Sequence, residues 1–511
     1  MAGRQWRQGP RVKGRQGIGK YEVKVMGQEK KKGIMAAGTL LALTLYAGTA
    51  WASDGRWEYN DVKNQWRYRD GEEGHVTGKR ELDGETYFFD GDGVMLTGWV
   101  RCPKGEIPEP YSDAMDGEDI YYCGDDGKMA KGWVVFYNPE QAAYEKQQQF
   151  ARIQEEGYGQ KRYYFDEKGK PCQNEKKNID GKRYIFDEEG AVMDGWIYDR
   201  GEGQADRFLS VDTDSPEADK ELCRANPDHL LYGALGDGSL ATGQWVDTVP
   251  PWDDEDDGAR SFYADSSSYM VSGRGARGDG TSLSARRKAR KIEEVGTYRL
   301  EDWSTDVNIT KIGGNYYCLE DSGTRIDGML YLSGAEGDSS FRDGLYCFMD
   351  HAAMKTGAVM KENTNDDFGS DGYVYYYYFS EKPNSKYSKG QGITGVSAGR
   401  LYYQGLAVGA QDETYEVVYV PALEEKDDTG KGTGLFLVDA SGKVKKGSLG
   451  GSHYRSSNGN EYRVVKESGR NDEYGYVIQY YDGEKDDSNH KIWKSLTEGD
   501  YSYICWDIPE E

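Results

Sequence analysis

Tyr87-Phe88-Phe89-Asp90-Gly91-Asp92-Gly93-Val94-Met95-Leu96-Thr97-Gly98-Trp99 is one copy of a unit that the chain repeats. It returns as Tyr121-Tyr122-Cys123-Gly124-Asp125-Asp126-Gly127-Lys128-Met129-Ala130-Lys131-Gly132-Trp133, and again as Tyr184-Ile185-Phe186-Asp187-Glu188-Glu189-Gly190-Ala191-Val192-Met193-Asp194-Gly195-Trp196. Partial copies run from Tyr163-Tyr164-Phe165-Asp166 to Gly169 and from Leu231-Tyr232 through Gly238 to Trp245. The short aromatic run favours a strand. The Asp-rich stretch ending in glycine reverses the chain. The residues after that glycine, with Met95, Met129 or Met193, form the return. One such hairpin buries too little apolar area to be stable alone, so successive hairpins must cover one another.

The pattern continues with decay. Tyr316-Tyr317-Cys318-Leu319-Glu320-Asp321-Ser322-Gly323, Leu345-Tyr346-Cys347-Phe348-Met349-Asp350 and Leu435-Phe436-Leu437-Val438-Asp439-Ala440-Ser441-Gly442 keep the aromatic or apolar run and the turn, but mostly lose the Gly-Trp step. The expected fold is all-β, an elongated solenoid of stacked β-hairpin repeats with a few short helical insertions. Those insertions are expected at Asn138 to Glu156, Ser215 to Cys223 and Ser282 to Glu294. The expected organisation is a leader over 1–52, hairpin repeats over 53–250, an irregular insertion or linker over 251–310, and degenerate hairpin repeats over 311–511.

Composition agrees with a thin, turn-rich build. The 511 residues include 68 Gly and 41 Tyr, and hydrophobic residues make up 37%. Glycine permits positive φ without steric cost, and tyrosine buries a ring while keeping its hydroxyl wet. Lys30, Lys31 and Lys32 precede an apolar stretch from Gly33 to Ala47, followed by Ala50-Trp51-Ala52. That layout predicts an export signal with a long basic n-region, cleaved after Ala52; an uncleaved anchor is the alternative, and Met26 is a second candidate initiator. Residues 1–52 hold ten Lys/Arg and two Asp/Glu, so the remainder carries 54 positive and 87 negative residues and a net charge of −33. This charge opposes nucleic acid and anionic lipid as nonspecific partners. The one dense basic run, Arg286, Arg287, Lys288, Arg290 and Lys291, is expected to pair with nearby acids. Seven cysteines without a CxxC pair support no disulfide framework, although a bridge such as Cys102 with Cys123 is feasible.

These units resemble the cell-wall-binding repeats of choline-binding proteins, of glucan-binding domains in extracellular glucosyltransferases, and of the C-terminal regions of large clostridial toxins. The resemblance is strongest over residues 57–245 and degenerate over 310–447. It implies a secreted protein, held noncovalently on a Gram-positive cell surface, that binds an envelope polymer or carbohydrate and has no stable membrane insertion once the signal is removed. In choline-binding relatives the ligand lies between adjacent hairpins in a cage of rings. Carried over, the positions are Trp99 with Tyr121, Tyr122 and Trp133, a second group of Trp133 with Tyr163 and Tyr164, and a third at Trp196. The rings suit a quaternary ammonium or the apolar face of a sugar. The Trp-Tyr-Tyr opening of choline-binding hairpins is absent, since Thr86, Ile120, Arg162 and Arg183 precede the tyrosines; Lys161-Arg162-Tyr163-Tyr164-Phe165-Asp166 looks nearer the glucan and toxin type.

No catalytic constellation is legible. His75, His229, His351, His453 and His490 are scattered without zinc-ligand spacing, and no nucleophile elbow or phosphate-binding loop occurs in a strand–turn–helix context. Asp90-Gly91-Asp92-Gly93 lacks the EF-hand series and reads as a turn. The expectation is therefore a noncatalytic binding protein without metal or cofactor. A structural spacer or adhesin without a small ligand, and an unrecognised glycan hydrolase using two of the many carboxylates, are the alternatives.

Overall fold

A computed structural model describes residues 22–25, 55–71, 74–111, 119–137, 160–253, 257–273, 281–293, 295–297, 299–335, 340–349, 353–362, 374–410, 414–424, 432–468 and 472–504. Within the stretch read as a leader, only Glu22–Val25 is described, as a strand pairing antiparallel with Gly132–Tyr137. The helix expected over Asn138 to Glu156 lies outside the described residues.

The architecture is all-β: small, mostly antiparallel sheets follow one another along the chain, as a β-hairpin solenoid requires, with a parallel pairing between Glu416–Tyr419 and Ser502–Tyr503. Contacts divide it into two units, the first built mainly from Met1–Cys223 with His229–Ala241, the second mainly from Thr242–Val249 with Asp254–Glu511. In the first unit the hairpins pair Arg56–Asn60 with Gln65–Arg69, Gly78–Leu82 with Glu85–Phe89, Gly98–Arg101 with Ile120–Cys123, Gly132–Tyr137 with Gln160–Phe165, and Glu175–Ile179 with Lys182–Phe186. Gly195–Asp199 then pairs with both Phe208–Val211 and Leu230–Gly233.

One turn recurs at the ends of these strands. The carboxylate of Asp90 accepts the backbone N–H of Asp92 at 2.9 Å and of Val94 at 2.8 Å, while Gly93 N–H donates to Asp90 O. Asp166 treats Lys168, Lys170 and Gly169 in the same way, and Asp439 does so with Ser441, Lys443 and Gly442. The aspartate thus satisfies the two N–H groups that a tight turn orphans. Immediately after the turn, a backbone N–H reaches the preceding hairpin: Met95 to Trp66 O, Met129 to Thr86 O, Val192 to Arg162 O and Leu240 to Arg183 O, each at 2.8 Å. The second unit repeats this with Met354 to Tyr316 O and Gly392 to Leu345 O. Stacking is therefore held by main-chain hydrogen bonds as well as by burial.

The turn glycine is what allows that approach. Gly127, Gly169 and Gly390 lie at φ +77°, +77° and +80°, and a Cβ on each would fall 2.2, 2.4 and 2.5 Å from the sulfur of Met95, Met129 and Met354 on the hairpin before. Sequence spacing alone relates these Met and Gly positions only as members of one motif; stacking puts the methionine of one copy on the glycine of the next.

The second unit opens with Gln244–Thr248 paired to Arg260–Ala264. A six-stranded sheet follows in the order Arg325–Ile326, Asn315–Leu319, Leu300–Ile312, Thr281–Ile292, Gly328–Ser333, Gly344–Phe348. Here two expectations fail. Thr281–Ile292 and Leu300–Ile312, which fall largely in the stretch 251–310 expected as an irregular insertion, are the two longest strands among the described residues, and the first of them takes up Ser282 to Ile292 of the run expected as a helix. The run Ala285-Arg286-Arg287-Lys288-Ala289-Arg290 satisfies a helix by propensity, but its buried residues alternate: Ala285, Arg287 and Ala289 face the core. Pairing on both sides, to Leu300–Ile312 and to Gly328–Ser333, supplies the tertiary context that outweighs propensity. A five-stranded sheet and a last core around Val417, Phe436 and Ile478 complete the unit. The third expected insertion is helical: Glu217–Ala225 starts after Pro216, with Glu217 and Asp219 in its first turn and Cys223 buried.

Six of the cysteines, including Cys102 and Cys123, are free, and five of these are buried. Cys123 lies opposite Gly98 while Cys102 N–H bonds Asp119 O, so the two sit at opposite ends of one hairpin and the feasible bridge does not form.

Two outcomes follow from this framework. Gly323→Ala places a Cβ 2.7 Å from the backbone oxygen of Val271 at φ +86°, whereas Gly314→Ala, at φ +90° in the same sheet, meets nothing within 4 Å. Denaturant melts should show Gly323→Ala costing about 1–2 kcal/mol more than Gly314→Ala; equal losses would show that φ strain alone matters there. The second concerns Asp187, whose pKa burial raises from 3.8 to about 6, against the opposing hydrogen bond from Ala191 N–H. Because the folded value lies above the unfolded one, the stability from this carboxyl is full below pH 3.8 and is lost as pH rises through about 6. Asp187→Asn keeps an oxygen for Ala191 N–H, so its Tm should exceed wild type at neutral pH and converge with it in acid. A pH-independent difference would contradict this origin.

Candidate functional site

In an antiparallel pair, directly opposed residues share a face. Several tryptophans each oppose a tyrosine of the partner strand: Trp99 lies across from Tyr122, Trp133 from Tyr164, Trp196 from Tyr232 and Trp245 from Tyr263. Ring centroids in these pairs are 5.2, 5.2, 5.3 and 5.3 Å apart, near edge-to-face. Alternate residues of the next hairpin then close on the same tryptophan. Tyr163 and Phe165 stand 5.5 and 5.8 Å from Trp99, and Tyr184 and Phe186 stand 4.8 and 6.2 Å from Trp133. Trp57 repeats the arrangement with Tyr68, Tyr87 and Phe89, and Trp245 meets Tyr317 at 4.9 Å. Such pairs are each worth about 0.5–1.5 kcal/mol beyond their buried area.

The residues singled out by sequence are distributed among these clusters as follows. Trp99 is joined by Tyr122 and Tyr163; Trp133 by Tyr164; Trp196, only 5% exposed, by Tyr232. Tyr121 lies on the opposite face of its strand, packed with Phe88 at 4.9 Å among Leu96, Val100 and Met129. Tyr163 likewise points away from Trp133. Adjacent letters in a strand face opposite ways, so Tyr121-Tyr122 and Tyr163-Tyr164 each serve two clusters. Sequence reading passed over Trp57, Tyr184, Phe186, Trp245 and Tyr317, which counting alternate residues across a register would have found.

Cations of the chain itself rest on several rings. The Arg162 guanidinium lies 4.6 Å from the Trp133 centroid and Arg325 4.8 Å from Trp245. Lys79 and Lys170 approach Tyr121 at 4.7 and 4.3 Å, and Lys170 also pairs with Asp119 at 2.7 Å. Lys79 occupies the tryptophan position of its unit, after Gly78, so one aromatic slot receives an ammonium where its neighbours receive an indole. Burial pushes the Tyr122 and Tyr163 hydroxyls up to about 12, which keeps both neutral at ordinary pH. Trp99 and Trp133 remain partly buried. Chemically, the clusters are apolar ring packing in which Trp99 and Trp133 stay partly exposed.

Among the described residues no group of three or more His, Cys, Asp and Glu is placed to hold a metal, and no helix is long and apolar enough to cross a membrane. His75 bonds Glu58 at 2.9 Å, His229 bonds Asp199 O at 2.8 Å, and His453 packs on Trp493, each in a different hairpin.

No family model matches the chain. No curated protein matches it either. Among solved structures, CbpJ from Streptococcus pneumoniae TIGR4 aligns at 17% identity over 76% of this chain and 100% of its own, with a TM-score of 0.28. Choline binding protein F from Streptococcus pneumoniae aligns at 17% identity over 77% and 99%, with a TM-score of 0.27. The modular autolysin LytC of the same species aligns at 13% identity over 71% of this chain and 54% of its own, with a TM-score of 0.29. Likenesses this distant carry no weight for ligand or activity.

Proposed function

We propose that the chain works outside the cytoplasmic membrane as a noncatalytic surface protein, holding a carbohydrate or other envelope polymer of a Gram-positive bacterium through the aromatic clusters between its hairpins. The observation that carries this reading is the recurrence of one ring geometry with tryptophans left partly uncovered at Trp99 and Trp133. Tryptophan rings left partly uncovered in successive units suit stacking against the apolar face of a sugar ring. Trp99 with Tyr122 and Tyr163, and Trp133 with Tyr164, are the principal contacts; Tyr121 and the sealed Trp196 support them. A quaternary ammonium fits less well, because Arg162 already lies on Trp133 and two lysines on Tyr121. Those same internal cations favour a second reading, a structural surface spacer whose rings are satisfied from within.

Retention of the purified chain on Gram-positive envelope, glucan beads and a choline matrix separates the two. Envelope or glucan should retain it, and Trp99→Ala or Trp133→Ala should each weaken retention tenfold or more when compared at a temperature where circular dichroism shows the variant still folded. Retention on none of the surfaces, or undiminished retention by both folded variants, favours the spacer. Arg162→Ala, which uncovers the Trp133 face, should raise retention on the choline matrix; no rise would show that Arg162 is not what excludes a quaternary ammonium.

A further inference from the structure

The six-stranded sheet of the second unit carries a feature that the aromatic clusters do not use. Its strand Thr281–Ile292 alternates, so that Ala285 and Ala289 enter the core with Val307, Ile309 and Leu332, while Arg286, Lys288 and Arg290 project from the other face. On that face they line an open cleft of about 610 Å³, with Asn308, Tyr331 and Ser333 from the flanking strands.

We propose that this cleft binds a linear polyanion without nucleobases, one bearing phosphate or carboxylate groups at regular intervals along a polyol or sugar chain. Successive outward residues of a strand are roughly 7 Å apart, so the three cations form a straight row rather than a point site. The two arginines carry no ion pair among the described residues. Arg290 is held by two hydrogen bonds from its guanidinium to Glu301 O, at 3.3 and 2.9 Å, which fix its position without neutralising its charge. Arg286 is exposed, and among the described residues its side chain has no hydrogen-bond partner. The cleft's carboxylates are partly committed: Asp321 accepts from Asn308 at 2.8 Å, Asp343 from Ala335 N–H at 2.9 Å, and Asp306 stands opposite Lys288 in the strand register. Hydrogen bonds from neutral donors leave Asp321 and Asp343 charged, so the lining holds four cations, Arg286, Arg287, Lys288 and Arg290, against three carboxylates, and Arg286 and Arg290 present planar donors that match oxyanions in pairs. In a chain of net charge −25 such a row is not a by-product of general basicity. The proposal stands independently of the aromatic reading, since no tryptophan lines the cleft.

The test is titration of the full chain with poly(glycerol phosphate), polygalacturonate, neutral dextran, glycerol phosphate monomer and single-stranded DNA, at low and moderate salt. One or both of the first two polymers should bind, and which one does identifies phosphate or carboxylate as the anion. Binding should weaken with salt, and Arg286→Ala/Arg290→Ala should lower affinity tenfold or more and flatten the salt dependence. Arg286→Glu, at an exposed position, provides a variant whose folding is not at stake and should act in the same direction. Trp133→Ala should leave this binding intact. Failure of both polymers to bind, equal binding of monomer per anion, preference for single-stranded DNA, or indifference to the arginine changes would each overturn the proposal.

Discussion

Everything in this molecule depends on a close approach between consecutive hairpins. A peptide N–H just past one turn donates to a carbonyl of the hairpin before it, and the turn glycine lies against that hairpin's methionine. A side chain on the glycine would hold the two ribbons apart. Two-stranded ribbons of four to six residues are too small to bury a core of their own, so their stability is mainly that of their interfaces. Where an aspartate heads the turn, as at Asp90, Asp166 and Asp439, it completes the device by satisfying the N–H groups that the reversal exposes.

The aromatic residues are a consequence of that geometry before they are anything else. Trp57, Trp99 and Trp133 are each clasped from one side by a cross-strand tyrosine and from the other by a Tyr–Phe pair of the following hairpin. The rings therefore form seams that join neighbours. Where tryptophan is replaced by Lys79, the slot still has a partner, because an ammonium resting on Phe88 and Tyr121 gains from the ring faces. Packing and recognition draw on the same atoms here, and what separates Trp99 and Trp133 from Trp196 is how much of each indole the stack leaves uncovered.

The second unit shows the repeat taken apart and reused. Two long strands widen the hairpin into a six-stranded sheet, one face of which keeps an apolar core while the other presents arginine and lysine. Widening removes the need for a tryptophan seam at that point, since Val307, Ile309, Leu330 and Tyr346 fill the interior directly. It also turns a basic run that would be a solvated stripe on a helix into an ordered row.

The sequence by itself determined the class of the fold, the hairpin as its unit, the turn chemistry of Asp90, Asp166 and Asp187 with their glycines, and the helix after Pro216. All of these are local: strand, turn and cap preferences act over a few residues, and a repeated motif states them several times. Tertiary structure alone decided which rings meet. Tyr121 and Tyr122 are neighbours in sequence yet face opposite ways, so membership of a cluster follows from cross-strand register and from the next hairpin's position, which adjacent letters do not encode. It also decided that Thr281–Ile292 is a strand, because helix propensity and strand alternation are both legible in that run and only pairing on its two edges, with Ala285 and Ala289 sunk into a core, makes the extended form the lower in free energy.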